Sequence, residues 1–192
     1  MSATRGLGFG GMGGKRQKEK EAITPEEAWS KALLWLSRRS LSRREVETRL
    51  KRLGLAEENT EEILERLREI GYLDDSRFAR SFARYRVETS SAGSQRLMRD
   101  LAVRGIEEVE AKAVIEEFLP EAEEEARARR LAEKKLAEWA RSGRYADGEE
   151  PARSRDVAAR LGRHLQQKGF PLSMIYRLID SLEGEGRFTF DV

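Results

Sequence analysis

The chain of 192 residues contains no cysteine, only four prolines and few aromatic side chains (7%). Without cysteine, disulfides, thiol nucleophiles and thiolate metal sites are excluded. The apolar runs are a few residues long, far short of the roughly 20 residues that a membrane-spanning helix needs. The Gly-rich, basic N-terminal stretch also lacks the apolar segment of a secretory signal. We therefore expect a cytoplasmic protein that has no contact with a membrane.

Charged residues are abundant and make up 38% of the chain. Together with frequent alanine and leucine they favour helices, and no stretch is typical of a strand. The sign of the charge alternates along the chain. Lys and Arg number 2 against 8 Asp and Glu in residues 57–75, 7 against 2 in residues 76–106, and 1 against 9 in residues 107–125. This pattern predicts basic faces separated by acidic helices.

Short polar side chains stand before several amphipathic stretches, where they can accept hydrogen bonds from the first amides of a helix. The predicted caps are Thr24, which precedes Pro25, then Ser42, Asn59 and Asp74. The third helix carries an apolar stripe of Ile63, Leu64, Leu67 and Ile70. Gly54 and Gly71 follow the second and third stretches, at the position where a left-handed residue commonly ends a helix. Three helices are thus predicted between residues 24 and 71.

A pattern of apolar residues around one glycine occurs three times with identical spacing. The equivalent positions are Val46, Leu50, Gly54, Leu55, Ile63 and Leu67 in the first copy, Leu97, Leu101, Gly105, Ile106, Val114 and Phe118 in the second, and Leu161, Leu165, Gly169, Phe170, Leu178 and Leu182 in the third. The periods are 51 and 64 residues. Repetition of this kind predicts stacked helical units.

The longer second period has two sources. A long helix is predicted over residues 121–141, and a loop over residues 142–152 precedes the next helix, predicted over residues 154–168. The predicted organisation is a flexible basic Gly-rich tail (1–23), three helical repeats (24–73, 74–120 and 121–184) and a C-terminal tail (185–192). The fold class is therefore all-α, an elongated array of three tandem three-helix units.

The stretch Gly71-Tyr72-Leu73-Asp74-Asp75-Ser76-Arg77-Phe78-Ala79, followed by the block around Gly105, resembles the signature of the RecX family. The resemblance spans about residues 28–182. It implies a monomeric regulator, without a cofactor, that binds the RecA protein and the RecA–single-stranded DNA filament. It further implies inhibition of ATP hydrolysis and strand exchange and modulation of the SOS response, and it allows weak direct DNA binding.

Arginines are the candidate binding residues, because a guanidinium group recognises both phosphates and carboxylates. The candidates are Arg38, Arg39, Arg43 and Arg44 in the first unit, Arg80, Arg84, Arg96 and Arg99 in the second, and Arg153, Arg155, Arg160 and Arg163 in the third. The alternative is that these arginines only form salt bridges on a solvated helix surface and bind no partner. Six motif residues are predicted to join the first unit to the second: Gly71, Tyr72, Leu73, Asp74, Asp75 and Phe78.

Two other readings stay open. A sequence-independent DNA-binding protein could affect recombination by occupying the strand. An enzyme would need an acidic site at Asp74 and Asp75, but these residues are better explained as helix caps. The single histidine, His164, cannot by itself build an imidazole or zinc site. The N-terminal glycines are not followed by the Lys-Ser or Lys-Thr of an ATP-binding loop. Neither catalysis nor a metal site is predicted.

Overall fold

The computed structural model describes residues 23–142 and 150–188, with side chains omitted for residues 150–153. Within these ranges the chain forms nine helices and no strand, which confirms the all-α prediction. The helices are α1 (Pro25–Arg38), α2 (Arg43–Arg52), α3 (Glu57–Glu69), α4 (Asp75–Thr89), α5 (Ser94–Val103), α6 (Glu108–Phe118), α7 (Glu121–Arg141), α8 (Glu150–Lys168) and α9 (Leu172–Gly184). Residues 1–22 and 189–192 of the predicted tails lie outside the described residues. The tail prediction is wrong at Ile23, which packs against the buried residues of α1–α3, and at Phe188, which is 1% exposed and belongs to the buried cluster of α7–α9.

The buried apolar side chains form three separate clusters, each supplied by three consecutive helices. We call α1–α3 unit 1, α4–α6 unit 2 and α7–α9 unit 3. The recurring apolar positions are buried in all three units except Phe118, which is partly buried. The guanidinium carbon of Arg84 lies 5.3 Å from the centroid of the Phe118 ring. The threefold pattern in the sequence thus corresponds to three small cores.

Three of the four predicted caps are present. The side chains of Thr24 and Ser42 accept hydrogen bonds from the amides of Glu27 and Glu45, whose carboxylates accept from the cap amides in return. The carboxylate of Asp74 accepts from the amide of Arg77 at 2.8 Å. Local sequence therefore determines where α1, α2 and α4 begin.

The prediction that Asn59 caps the third helix is wrong. Helix α3 begins at Glu57, and the residue before it, Ala56, provides no side-chain cap. The recurring glycine explains the difference, because α3, α6 and α9 all begin three residues after it, at Glu57, Glu108 and Leu172. The apolar residue that follows each glycine is buried and returns the chain to the unit, so the tertiary repeat determines where these helices start.

Two further expectations need correction. Ile70, predicted as part of the apolar stripe, is 50% exposed because α3 ends at Glu69, and Leu73 closes the core instead. The predicted loop over residues 142–152 is shorter on its C-terminal side, since α8 begins at Glu150. Proline is tolerated in the first turn of a helix, where its missing amide has no intrahelical partner, so Pro151 does not delay the start of α8.

Candidate binding surface and the joints between units

The contact between units 1 and 2, which we call the first joint, is made by α2, the start of α4 and the end of α5. The amide of Arg43 donates a hydrogen bond to Asp75 Oδ1 at 2.8 Å. A longer ion pair joins Arg104 Nε to Glu45 Oε1 at 4.0 Å. Burial raises the pKa of Asp75, and the Arg43 amide bond opposes that rise. Asp75 therefore binds the positive N-terminal end of α2, as the helix dipole favours.

The predicted junction motif contributes to the first joint in an unexpected way. Tyr72 is half exposed, Leu73 belongs to the core of unit 1 and Phe78 to the core of unit 2. Asp74 is occupied in capping its own helix. Of the motif side chains, Asp75 is the one that reaches the neighbouring unit, while Gly71, with φ +75°, ends α3 and turns the chain.

The contact between units 2 and 3, which we call the second joint, is made largely by α7. Glu124 is only 4% exposed and accepts a 2.6 Å hydrogen bond from the amide of Ser94, the first residue of α5. Arg127 Nη1 donates to the carbonyls of Val87 and Ser90, at 2.8 and 3.0 Å, where α4 ends. One turn of α7 thus places an anion at a helix N-terminus and a cation at a helix C-terminus.

Backbone groups complete the second joint. The amide of Gly93 donates to the carbonyl of Lys168, and the amide of Gln95 donates to the carbonyl of Gly169, both at 3.0 Å. A Cβ atom on Gly93 would lie 2.5 Å from the Gly169 oxygen, so no side chain fits there. Burial raises the pKa of Glu124, and its bonds to Ser94 oppose the rise.

The recurring glycines show how each unit meets the preceding one. All three have positive φ, +83° at Gly54, +83° at Gly105 and +87° at Gly169. A Cβ on Gly54 would meet no atom within 4 Å, whereas one on Gly105 would lie 2.8 Å from Arg44 Cβ, and one on Gly169 would lie 2.5 Å from the Arg96 amide nitrogen. The same glycine ends a helix in every unit and also forms the joint wherever a preceding unit exists.

Most of the candidate arginines have partners within the chain. Ion pairs or other contacts join Arg39 to Glu45, Arg43 to Glu61 and Glu65, Arg80 to Glu117, Arg96 to Asp100, Arg160 to Asp156, Arg84 to Phe118 and Arg99 to the Gln95 carbonyl. These arginines are exposed or nearly so, and such pairs stabilise the fold by at most about 1 kcal/mol. A phosphate or carboxylate of a partner can therefore compete for them.

The remaining candidates differ. The exposed side chains of Arg38, Arg44 and Arg163 have no carboxylate within ion-pair distance among the described residues. Arg155 is exposed and has an interaction within the chain. The side chain of Arg153 lies outside the described residues. Arg44 is the most notable of these, because its aliphatic stem packs on Gly105 while the rest of the side chain lines a hollow at the first joint.

That hollow of about 240 Å³ contains two arginines that we did not predict as candidates, Arg49 and Arg52. With Arg44 they lie on neighbouring turns of α2, and the exposed Val103 forms the opposite wall. The guanidinium of Arg49 also lies 5.3 Å from the centroid of the Trp35 ring. Spacing on one helix could have identified part of this cluster, because Arg49 and Arg52 are three positions apart and are therefore neighbours on the helix surface.

A larger groove of about 830 Å³ lies between units 2 and 3. Its apolar lining includes Met98, Ile115, Leu119 and Met174, and Arg99 lies on its wall. The second joint borders this groove, since Glu124 and Ser94 also line it. Arg99 is thereby placed beside an apolar surface that crosses from unit 2 to unit 3.

The residues considered for catalysis or metal binding are not brought together. The described residues contain no group of three or more His, Asp or Glu side chains that could hold a metal ion. Burial and nearby lysines lower the pKa of His164. None of the helices in residues 23–142 and 150–188 is long and apolar enough to cross a membrane.

Comparison with known proteins agrees with this architecture. Residues 28–67 match the family model described as RecX, first three-helix domain, and residues 74–115 match RecX, second three-helix domain. The Regulatory protein RecX of Prosthecochloris aestuarii is 31% identical over 156 residues, 81% of this chain and 93% of that protein. That of Pseudomonas syringae pv. tomato is 34% identical, covering 84% and 96%. The crystal structure of RecX from Lactobacillus salivarius superposes with a TM-score of 0.67 at 25% identity, covering 83% and 96%.

Proposed function

Because the chain belongs to the RecX family, we propose that it binds the RecA protein and its filament on single-stranded DNA, and inhibits ATP hydrolysis and strand exchange. It acts in the cytoplasm as a monomer and makes or breaks no covalent bond. Reduced strand exchange and ATP turnover would in turn modulate the SOS response. The array lies in the helical groove of the filament and bridges neighbouring RecA subunits.

One observation carries this proposal, namely that the units follow one another with separate cores and present arginines at each joint. Arg44 and Arg96 both occur in the first turn of the middle helix of their unit, and each lies against the glycine of the next unit. Cations are thereby repeated along the array. Several modest contacts on linked units add up to strong binding when all engage the same filament.

Acidic helices favour a protein partner over bare DNA. Glu57, Glu58, Glu61 and Glu62 are exposed on α3, and Glu116 and Glu117 are exposed on α6. These carboxylates would repel phosphates if DNA wrapped the array. A filament groove presents protein side chains together with DNA, so it can accommodate both signs of charge.

Charge reversal at the joints tests the proposal. The double variant Arg44→Glu/Arg99→Glu retains methylene groups near the joints, because Glu shares the Cβ and Cγ methylenes with the stem of Arg. We expect it to require about tenfold more protein for half-inhibition of RecA ATP hydrolysis, which corresponds to about 1.4 kcal/mol of binding energy. The readout is phosphate release by RecA on single-stranded DNA as the variant is titrated.

A matched control is Arg130→Glu/Lys134→Glu, which makes the same change in net charge on exposed positions of α7. It should inhibit like the parent chain. Equal inhibition by the Arg44/Arg99 variant and the parent would remove these residues from the binding surface. No effect of the parent protein on RecA would overturn the proposed function itself.

The competing function, strand occupancy by a DNA-binding protein, is favoured by the hollow at the first joint, where three arginines, Arg44, Arg49 and Arg52, outnumber the one carboxylate of the lining, Glu45. Salt dependence distinguishes the two. Binding to phosphates alone should occur without RecA and fall steeply as salt rises. Docking on the filament should need RecA and tolerate salt better. Fluorescence anisotropy of labelled single-stranded DNA, with and without RecA, measures both.

A further inference from the structure

The two joints restrain rotation to different extents. At the first joint the short hydrogen bonds, from Arg43 to Asp75 and from Arg77 to the Gly71 carbonyl, lie next to or within the segment that covalently links units 1 and 2. A contact close to the pivot restrains rotation weakly. The more distant contact, between Glu45 and Arg104, is a 4.0 Å ion pair with both side chains partly exposed to solvent.

Arg104 is also satisfied within its own unit. Its guanidinium lies 4.3 Å from the centroid of the Phe82 ring, and its Nη1 donates to the carbonyl of Asp100. Loss of the Glu45 contact would therefore not leave the charge of Arg104 buried and unpaired. The atoms that lie close to Gly105 are side-chain carbons of Arg44, so a rotation of unit 1 would break no hydrogen bond at this contact.

At the second joint, two separate parts of unit 3 bind unit 2. Helix α7 binds through Glu124 and Arg127, and the turn between α8 and α9 binds through the Lys168 and Gly169 carbonyls. Because these two attachment points lie apart, unit 3 cannot rotate about one of them without breaking the hydrogen bonds at the other. Gly93 and Gly169 are buried there, and separation of the two units would break these backbone hydrogen bonds together with those of Glu124 and Arg127.

We propose that units 2 and 3 move as one rigid body and that unit 1 turns about the first joint. The protein is then a two-body device whose mobile part carries Arg38, Arg44, Arg49 and Arg52. Small polar contacts between domains generally permit relative motion, whereas several buried contacts suppress it.

The absence of native cysteine makes distance measurement direct, since two introduced cysteines can be spin-labelled without side reaction. Lys31, Val109 and Asp180 are exposed and lie in units 1, 2 and 3 respectively. Double electron–electron resonance on Lys31→Cys/Val109→Cys and Val109→Cys/Asp180→Cys gives one distance distribution across each joint. We expect the first distribution to be about twofold wider than the second. Equal widths, or a wider second distribution, would overturn the proposal.

A substitution at Gly93 tests the cause. Gly93 occupies the position equivalent to Ser42, one period of 51 residues later. Gly93→Ser gives α5 a side-chain cap of its own, as α2 has, and places a Cβ where the Gly169 carbonyl lies. The distribution across the second joint should widen to match the first, with the helical circular dichroism unchanged. An unchanged narrow distribution would contradict the proposed cause.

Arg127→Met provides a second variant, which removes the bonds to the end of α4 and adds no bulk at the glycines. It too should widen the second distribution and leave the first unchanged. If it widened both equally, the joints would not be independent and the two-body description would be wrong.

A role for this motion in binding the RecA filament rests on the proposed function. Addition of the RecA filament on single-stranded DNA should narrow the first distribution, because attachment at two points fixes unit 1 relative to the rigid pair. If the first distribution is wide in the free protein but unchanged by a filament that the protein inhibits, unit 1 is not an attachment point. A narrow first distribution in the free protein would instead refute the motion.

Discussion

At both joints the first amides of a middle helix, α2 or α5, find hydrogen-bond acceptors, but different residues provide these acceptors at each joint. In unit 1, Ser42 caps the middle helix locally, and Asp75 of unit 2 accepts one further hydrogen bond, from the amide of Arg43 at the start of that helix. In unit 2, the equivalent residue is Gly93, which has no side chain to cap α5, and unit 3 supplies Glu124 and two carbonyl groups instead. Absence of a local cap thus creates a requirement that only the neighbouring unit satisfies. A helix whose first amides are capped by its own residues can move relative to the neighbouring unit. A helix whose first amides depend on acceptors from the neighbouring unit cannot move without losing those hydrogen bonds.

The largest expected effect on stability comes from alanine substitutions at the recurring glycines. Gly54→Ala should cost about 1–2 kcal/mol, the ordinary penalty for a left-handed residue with a Cβ. Gly105→Ala should cost somewhat more, because the new Cβ would lie 2.8 Å from Arg44 Cβ, so α2 would have to shift slightly relative to unit 2. Gly169→Ala should cost a further 1–3 kcal/mol or so, because its Cβ would meet the backbone of Arg96.

Urea unfolding of the three variants, followed by circular dichroism, gives the order of their costs. Gly54→Ala is the internal control, since the backbone conformation is shared and no neighbouring unit is present. Equal costs at Gly54 and Gly169 would show that the second joint contributes nothing to stability.

The next largest effect is expected at Arg127. Arg127→Met keeps much of the aliphatic stem and leaves the Val87 and Ser90 carbonyls without their donor. A hydrogen bond from a charged donor is worth about 1.5–3 kcal/mol, so we expect the removal of the two bonds to cost at least that much. Arg129→Met, which removes an ion pair with Glu185 at the surface, is the matched control and should cost about 1 kcal/mol or less. Similar losses in both variants would contradict a special role for Arg127.

A smaller difference should separate Glu124→Ala from Glu124→Gln. Alanine leaves the Ser94 amide without its acceptor and should cost about 1–3 kcal/mol. Glutamine retains an acceptor oxygen and removes a buried charge, so it should be close to neutral. Asp75→Ala at the first joint should cost less than Glu124→Ala, because Asp75 is more exposed and Ser42 still caps α2. Thermal unfolding measured in parallel compares the three.

The smallest expected effect is a dependence on pH. The pKa of Glu124 is raised by burial above its ordinary value of 4.5, so the folded chain holds this proton more tightly than the unfolded chain. Stability from this group is present below pH 4.5 and is lost as the pH rises through the raised pKa. Glu124→Gln should therefore flatten the fall in stability of the parent over that interval. Identical pH profiles of the parent and Glu124→Gln would show that Glu124 titrates normally.

Much of the fold could be predicted because its causes are local. Caps at Thr24, Ser42 and Asp74 need only a short side chain followed by helix-forming residues. The bounds of α7 agree with the predicted residues 121–141, since polar and apolar residues alternate along it at helical spacing. Prediction failed at Asn59 and Ile70, where the chain had a plausible local choice and the packing of the unit selected another.

The binding surface was harder to predict because charge alone does not reveal its partner. Arg43 and Arg80 look equivalent in the sequence to Arg44, yet both form ion pairs with glutamates 18 and 37 residues away, and Arg44 does not. Such distances along the chain leave no mark in a local pattern. Gly93, Glu124 and Arg127, which build the second joint, were not predicted as joint residues for the same reason.

The sequence by itself determined the helices, their apolar faces and the threefold repetition of a small core, because each depends on residues within about one helical turn. Only the tertiary structure decided how the units join and which arginines remain available to a partner. Those outcomes depend on groups far apart in the chain, such as Ser94 and Glu124. A hydrogen bond between them exists only once two cores have formed and met, and no spacing in the sequence encodes that meeting.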